Sequence, residues 1–379
     1  MKKKLITALA LCLSVSMATP ALAVAATDVP AAIASNMTFE GSPVKISLQQ
    51  AYDKFIADSS VMTGIKYQKD GELLTAQGLS ESVHALSNPN APDTTSKNLL
   101  KVERDFAKEV VEPNYEARVN AQKLTIFETY YNVKNAEENM KIQKENLDIE
   151  KELLKNASLK LKLGTISNME YLTAEAAEKT AEDNYLSALN TLRTAKMGFN
   201  RLLGYGVMTN TSLSDKLTEV ALPKETFAET LAAAKEKNLS VKKAAYDLRC
   251  AEENLKIYNA YPKSSIKYRT AYLKMLSAQT ANENAPLTLE MDIRSKYMAM
   301  MEAYQQVQTY KTTVANAAEA ARLAQLQFNA GMCTITDVQQ AQLGSTQAKL
   351  GQSAALLKYN LAVENYKLCS GYGTAAADL

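Results

Sequence analysis

Two pairs of side chains in this sequence combine a hydroxyl with a carboxylate three residues further on. They are Ser167 with Glu170, and Thr334 with Asp337. At this spacing the hydroxyl can accept a hydrogen bond from a backbone N–H at the start of a helix, and the acid stabilises the positive helix end. The two pairs are therefore candidate helix caps, and one constant offset in the numbering relates both members of the first pair to those of the second.

Residue types that carry catalysis or bind metals are sparse. His84 is the single histidine, and Cys250, Cys333 and Cys369 have no metal-site or redox spacing. The sequence contains no glycine-rich phosphate loop, no His-Glu-x-x-His and no clear nucleophile motif. We therefore expect no catalytic residue, no cofactor and no metal site, and the protein is not predicted to be an enzyme.

The same offset relates a much longer part of the chain. Gly164 corresponds to Gly331, and the triplet 204–206 corresponds to 371–373. Apolar residues recur every seven positions before each glycine, at Ile126, Val133, Met140, Leu147, Leu154 and Leu161, and at Ile293, Met300, Val307, Val314, Ala321 and Phe328. A long repeat indicates a duplicated unit, and a seven-residue period indicates a helix that buries a seam in a coiled coil. The sequence therefore predicts two long helical hairpins, with tips at 164–167 and 331–334.

The N-terminus has the pattern of a secretory signal peptide over residues 1–25. Three lysines precede an apolar run, and small-residue triplets follow at 21–25. An uncleaved anchor fits less well, because the run is short for a membrane span. Removal of this segment leaves 40 basic and 41 acidic residues, so no excess of positive charge favours nucleic acid.

The repeat divides the rest of the chain. A polar leader with no clear period covers 26–45, the first hairpin repeat 46–206, a connector 207–224, the second repeat 225–373 and a tail 374–379. In each repeat an opening helix precedes a region rich in helix breakers, at 79–97 and 261–286. The long outgoing arm of the hairpin follows that region.

These features resemble the TolC-like outer membrane efflux protein family, the outer membrane factors of tripartite export systems. The tips carry the resemblance, as Leu-Gly-Thr-Ile-Ser at 163–167 and Ala-Gly-Met-Cys-Thr at 330–334, each followed by the acid. The Tyr-Tyr-Asn-Val stretch at 130–133 and the Leu-Leu-Gly ending at 202–204 also fit. The resemblance covers roughly 46–373 and implies a homotrimer whose six hairpins form an α-helical barrel.

The sequence departs from the family where members carry two strands between the opening helix and the outgoing arm of each repeat. Residues 79–97 are too few and too polar for two membrane strands of ~9–11 residues. Residues 287–294 alternate as a strand would, but Leu289, Ile293 and Tyr297 also fit one helix face, which we favour. The expected fold is all-α, with two tandem coiled-coil hairpins and the family's β-barrel reduced or absent.

The resemblance implies a channel that conducts substrates across the periplasm and outer membrane, docked through its tips onto a periplasmic adaptor and an inner-membrane pump. Asp337 and Glu170 then become candidates for carboxylates at the aperture. The candidate docking residues at the tips are Gly164, Thr165, Ser167, Gly331 and Thr334. The alternative is an exported structural coiled-coil protein, located outside the cytoplasm, that kept the hairpins and lost membrane insertion.

Overall fold

The computed structural model describes residues 38–86 and 94–378, so the predicted signal peptide lies outside the described residues. Residues from Glu40 onward form one compact unit. Its helices are α1 (Leu48–Asp58), α2 (Ser60–Ala85), α3 (Thr94–Lys162), α4 (Asn168–Leu202), α5 (Phe227–Lys237), α6 (Leu239–Tyr258), α7 (Ile266–Asn329) and α8 (Ile335–Lys367). Its strands are β1 (Glu40–Ile46) and β2 (Thr209–Leu213). The prediction of a predominantly α-helical fold built from two long hairpins is confirmed.

Each hairpin pairs a long outgoing helix with a shorter return helix, α3 with α4 and α7 with α8. The 69 residues of α3 span roughly 100 Å at 1.5 Å per residue. The predicted seam is buried at Ile126 and Val133 in the first hairpin and at Met300 and Val307 in the second. The apolar period of seven therefore does fix which side of each outgoing helix packs.

Several seam residues are half-buried in the structure. They are Met140, Leu154 and Leu161 in the first hairpin and Val314 and Ala321 in the second. Val314 and Ala321 line grooves between α3, α7 and α8. Elsewhere α7 and α8 approach very closely, because a Cβ at Gly351 would lie 2.4 Å from the ring of Tyr310. Neighbours outside the hairpin, and not the heptad alone, decide how deeply each seam residue is buried.

The hairpins lie side by side as a wall of helices. In the tip half, which includes residues 124–203 and 293–368, α4 packs on α3, α3 on α8, and α8 on α7. In the distal half, which includes residues 60–123 and 239–292, α2 packs on α3, α3 on α6, and α6 on α7. The edges of the wall are therefore α4 and α7 in the tip half, and α2 and α7 in the distal half.

The described parts of the two breaker regions are largely helical, and residues 87–93 of the first region lie outside the described residues. Helix α2 continues to Ala85, and α7 begins at Ile266 and runs through Pro286 without interruption. Pro113 also lies inside a continuous helix, α3. A proline removes one backbone hydrogen bond, and packing on neighbouring helices offsets that loss. Residues 287–294 are helical, as the apolar face had indicated.

A small parallel sheet occupies segments that the sequence assigned to the leader and the connector. Residues 40–45 of the leader belong to β1, and its pairing with β2 places Ile46 opposite Leu213. The Tyr130 hydroxyl lies 3.2 Å from the Ile46 carbonyl and 3.0 Å from the Asp215 carboxylate. That carboxylate also accepts from the backbone N–H of Leu48, at 2.8 Å. The sheet thus joins the start of α1 to the first hairpin.

The C-terminal tail is docked on α3. The buried Asn114 side chain accepts a hydrogen bond from the Ala377 N–H at 2.8 Å and donates one to the Ala377 carbonyl at 2.9 Å. Ala377 packs there against Phe106 and Val110. The tail is therefore part of the distal half.

Candidate functional site

The two tips have the same backbone geometry. Gly164 and Gly331 adopt the left-handed conformation, with φ of 70° and 72°. The N–H of Thr165 bonds back to the Lys160 carbonyl at 2.9 Å, and Met332 does the same to Gln327 at 2.8 Å. This arrangement ends a helix and favours glycine, because a Cβ is disfavoured at positive φ.

The return helices begin with the capping boxes that the sequence predicted. The Ser167 hydroxyl accepts from the Glu170 N–H at 3.2 Å, and the Glu170 carboxylate accepts from the Ser167 N–H at 2.8 Å. The Thr334–Asp337 pair repeats both bonds, at 3.3 Å and 2.8 Å. Hydrogen bonds from the side chain and backbone of Thr334 hold the pKa of the Asp337 carboxyl below its ordinary value. The capping role is therefore sufficient to explain why Glu170 and Asp337 occur at these positions.

The two tips are in contact with each other. Phe328 and Ile335 of the second tip pack in one cluster with Leu153 and Ala174 of the first hairpin. The Lys160 ammonium donates to the Phe328 carbonyl at 2.9 Å and lies 3.7 Å from the centre of its ring. A cation at this place also stabilises the negative, C-terminal end of α7. The candidate residues of both tips consequently share one end of the wall.

Three large apolar side chains at the tips are exposed, and the sequence argument missed them. Leu163, Met169 and Met332 are each more than 70% exposed. They lie beside the tip glycines and outside the seven-residue seam, which is the signal that could have identified them. Large apolar groups exposed at one end of the wall are typical of an interaction surface.

A line of polar residues on α8 faces the first hairpin, again at a spacing of seven. Its members are Gln339, Thr346, Ser353 and Asn360. Thr346 donates to Asn146 on α3 at 3.0 Å, and Ser353 donates to Asn135 at 2.7 Å. Asn360 donates to the Thr218 carbonyl at 2.8 Å, which ties α8 to the connector. The contact between the two hairpins is therefore polar along this line and apolar at the tips.

Glu150 occupies the end of this polar line that is nearer the tips. It is 5% exposed, and its Oε2 atom has no hydrogen-bond partner among the described residues. It lines a groove of about 400 Å³ between α3, α4 and α8, together with Gln339 and Asn146. Burial raises the pKa of the Glu150 carboxyl, and the Gln339 amide opposes part of that shift.

We expect Glu150→Gln to stabilise the protein at neutral pH. Because the pKa is raised in the folded chain, the folded chain binds the proton more tightly than the unfolded chain does. Stability from this group is then largest at low pH and is lost as the pH rises through the folded-state pKa. Glu150→Gln should add on the order of 1 kcal/mol to the free energy of unfolding at pH 7.5 and little at pH 4.

Thermal melts of wild type and variant across this pH range measure the effect. Glu152→Gln is the matched control, since Glu152 is exposed on the same helix. A stability gain in Glu150→Gln that does not change with pH would contradict the assignment of a costly buried charge.

Other kinds of site are not formed by the described residues. They contain no cluster of histidine, cysteine or acidic side chains that could hold a metal ion. Within residues 38–86 and 94–378, no helix has both the length and the hydrophobicity needed to cross a bilayer. The three cysteines in these ranges are free thiols.

Solved structures of outer membrane proteins and channels share the fold of this chain. The outer membrane protein VceC of Vibrio cholerae superposes with a TM-score of 0.68 at 12% identity, over 86% of this chain and 97% of that one. The CmeC outer membrane channel of Campylobacter jejuni gives 0.68 at 13% identity, over 87% of each chain.

A membrane protein from Pseudomonas aeruginosa matches over 95% of this chain and 97% of its own, with a TM-score of 0.67 at 12% identity. No protein-family model and no curated protein matches the sequence. The likeness is thus one of fold, and the neighbours named here are membrane or channel proteins.

Proposed function

We propose that this protein is the duct component of a tripartite efflux or secretion system, conducting substrates across the periplasm and outer membrane. The observation that carries the proposal is the wall of two parallel hairpins with both tips at one end. The length of the helices sets the length of such a wall. Its described residues form no catalytic constellation. The protein acts by passage of a substrate and not by catalysis.

The edges of the wall support assembly into a homotrimer. In the tip half, α4 exposes Leu172 and Leu186, and α7 exposes Leu323 and Leu326, each between 45% and 52%. Edges that expose leucine can be buried when one copy packs on the next, and a head-to-tail contact that closes produces a ring. Three copies would place six hairpins around one axis, at the outer membrane and in the periplasm.

The tips support docking onto a periplasmic adaptor that connects the duct to an inner-membrane pump. Leu163, Met169 and Met332 would supply apolar contact area there. The turns around Gly164, Thr165 and Ser167, and around Gly331 and Thr334, would fix the shape of that surface. Glu170 and Asp337 begin the return helices, so copies around an axis would present them as rings of carboxylates.

Asp337→Asn tests the aperture role separately from capping. Asparagine at position 337 still offers a side-chain oxygen to the Thr334 N–H but carries no charge. If Asp337 lines the aperture, the variant should show altered cation preference and larger conductance in planar bilayers, with an unchanged melting temperature. The control Asp337→Ala should lose ~0.5–2 kcal/mol of stability through the cap alone. Wild-type conductance and selectivity in Asp337→Asn would remove Asp337 from the aperture.

A structural coiled-coil protein outside the cytoplasm is the second candidate. The observation that favours it is that residues 79–85 and 266–294 are helical, where the resemblance implies strands. The same bilayer recording separates the two functions. Reproducible single-channel steps from the wild-type protein support the duct, and their absence under conditions that keep the trimer intact supports the structural protein.

A further inference from the structure

Helix α2 in the distal half has two opposite faces of different character. Its inner face packs on the neighbouring helices through Met62, Ile65, Ala76 and Val83, all buried. Its outer face consists of Gly64, Tyr67, Gly71, Leu74 and Gly78, all exposed. Glycine and a large apolar residue therefore alternate along the outer face, and each type recurs every seven residues.

The glycines of this outer face leave open hollows. No described atom lies within 4 Å of a Cβ built at Gly64, Gly71 or Gly78. Glycine is a poor helix former, so three of them on the solvent side of one helix weaken that helix without a gain inside the chain. Between large side chains, they form holes that accept knobs from a closely packed helix.

Helix α7 also has two apolar faces, which run through the distal half and into the start of the tip half. Ala271, Ile293 and Met300 are buried on its inner side. The opposite face exposes Ile266, Leu273, Leu276, Leu287, Met291 and Met298. A helix that is apolar on two opposite sides belongs between two neighbours, and within the chain α7 has a helical neighbour here on one side only.

We propose that the outer face of α2 packs on the outer face of α7 from a second copy of this chain, so that the assembly is closed helix to helix in its distal half. The two faces lie at opposite edges of the wall. The glycines on α2 of one copy therefore form holes, and the large apolar side chains on α7 of the next copy are the knobs that fill them. Helix α7 is continuous, so the same helix forms an edge in both halves. The inference rests on the ring assembly under the proposed function and adds a second contact to it.

Charge and direction agree with this partner. Glu81 flanks the outer face of α2 toward the end at which Arg269 lies on the outer face of α7, and Arg269 has no ion-pair partner among the described residues. Neighbouring helices within the wall are antiparallel, and α7 followed by α2 of the next copy continues that alternation. Opposite charges at the rim of such a contact favour the pairing.

Ion pairs inside the chain show which residues of α2 and α7 lie at the same height along the wall. Lys69 of α2 and Lys242 of α6 pair with Glu112 and Glu109, one turn apart on α3. Lys235, two turns before Lys242, pairs with Glu290 of α7. Counting along these antiparallel helices places Gly71 at the height of Leu287.

Disulfide crosslinking of the full chain tests the contact, with Cys250, Cys333 and Cys369 replaced by serine. The distal pair is Gly71→Cys with Leu287→Cys. The tip-half pair is Leu172→Cys with Leu323→Cys. The control is Gly71→Cys with Thr288→Cys, since Thr288 is exposed and follows Leu287 directly but lies about 100° around the helix, off the outer face. We expect both pairs to give covalent dimers and trimers on oxidation and the control to give at least tenfold less.

The outcomes separate the two proposals. Crosslinking of the tip-half pair alone would overturn the distal contact and leave the ring intact. Failure of both pairs would overturn the ring as well. Reaction of Leu287→Cys with a maleimide carried in phosphatidylcholine vesicles, without crosslinking of the distal pair, would show that lipid covers this face and would overturn the inference.

Gly71→Leu gives an independent measurement. In a single chain, the hollow at Gly71 is open and leucine is the better helix former, so the monomer should melt at a higher temperature. In the assembly, the added side chain fills the hole, so the concentration needed for trimer formation should rise at least tenfold by sedimentation. A variant that assembles like the wild type would show that no helix packs there.

Discussion

Leu147→Asp is expected to destabilise the protein by about 4 kcal/mol, enough to unfold much of the first hairpin. Leu147 is 5% exposed on the seam side of α3. The substitution removes the buried apolar side chain and places an unpaired carboxylate in the same packed position. Urea unfolding followed by circular dichroism at 222 nm gives the change in the free energy of unfolding.

Lys144→Asp is the matched control, because Lys144 is exposed on the same helix less than one turn away. It should change stability by less than about 0.5 kcal/mol. Equal unfolding midpoints for the two variants would show that Leu147 does not belong to a packed seam.

Asn360→Leu is expected to cost about 3 kcal/mol even though leucine has a similar size. Asn360 is fully buried, donates to the Thr218 carbonyl at 2.8 Å and accepts from the Val220 N–H at 3.2 Å. Leucine leaves both backbone groups without a partner in a buried position, at about 1–3 kcal/mol each. The loss should also release the connector from α8, which hydrogen exchange at the Val220 amide would detect.

Asn365→Leu provides the comparison, since the Asn365 side chain is exposed on the same helix. Its melting temperature should stay within a degree or two of the wild type. Unchanged exchange at Val220 in Asn360→Leu would show that the connector is held by other contacts.

The tips were predictable because their determinants are local. Gly164 is needed where the backbone turns left-handed at the end of a helix, and Ser167 with Glu170 satisfies the orphan N–H groups at the start of the next helix. Both effects act between close neighbours along the chain, so their signature is visible in the sequence. The apolar period of seven is local in the same sense, and it identified the packed side of α3 and α7.

The breaker regions and the small sheet were not predictable in this way. Pro113 and Pro286 lie inside helices because packing on neighbouring helices supports the backbone around each proline. Strand β1 forms because β2, which follows only after the whole first hairpin, supplies its hydrogen bonds. Backbone pairing between distant segments leaves little trace in the composition of either one.

The polar line on α8 shows which features follow from the sequence and which depend on the tertiary structure. Its spacing of seven is written in the sequence, but spacing alone does not tell whether Thr346 faces solvent or another helix. The partners Asn135 and Asn146 belong to the first hairpin, and only packing of the second hairpin on the first brings them into reach. The sequence by itself determined the hairpins, their tips and their caps, since these depend on neighbours along the chain. The tertiary structure decided the order of helices in the wall, the burial of Glu150 and the edges left bare, since these depend on which surfaces meet.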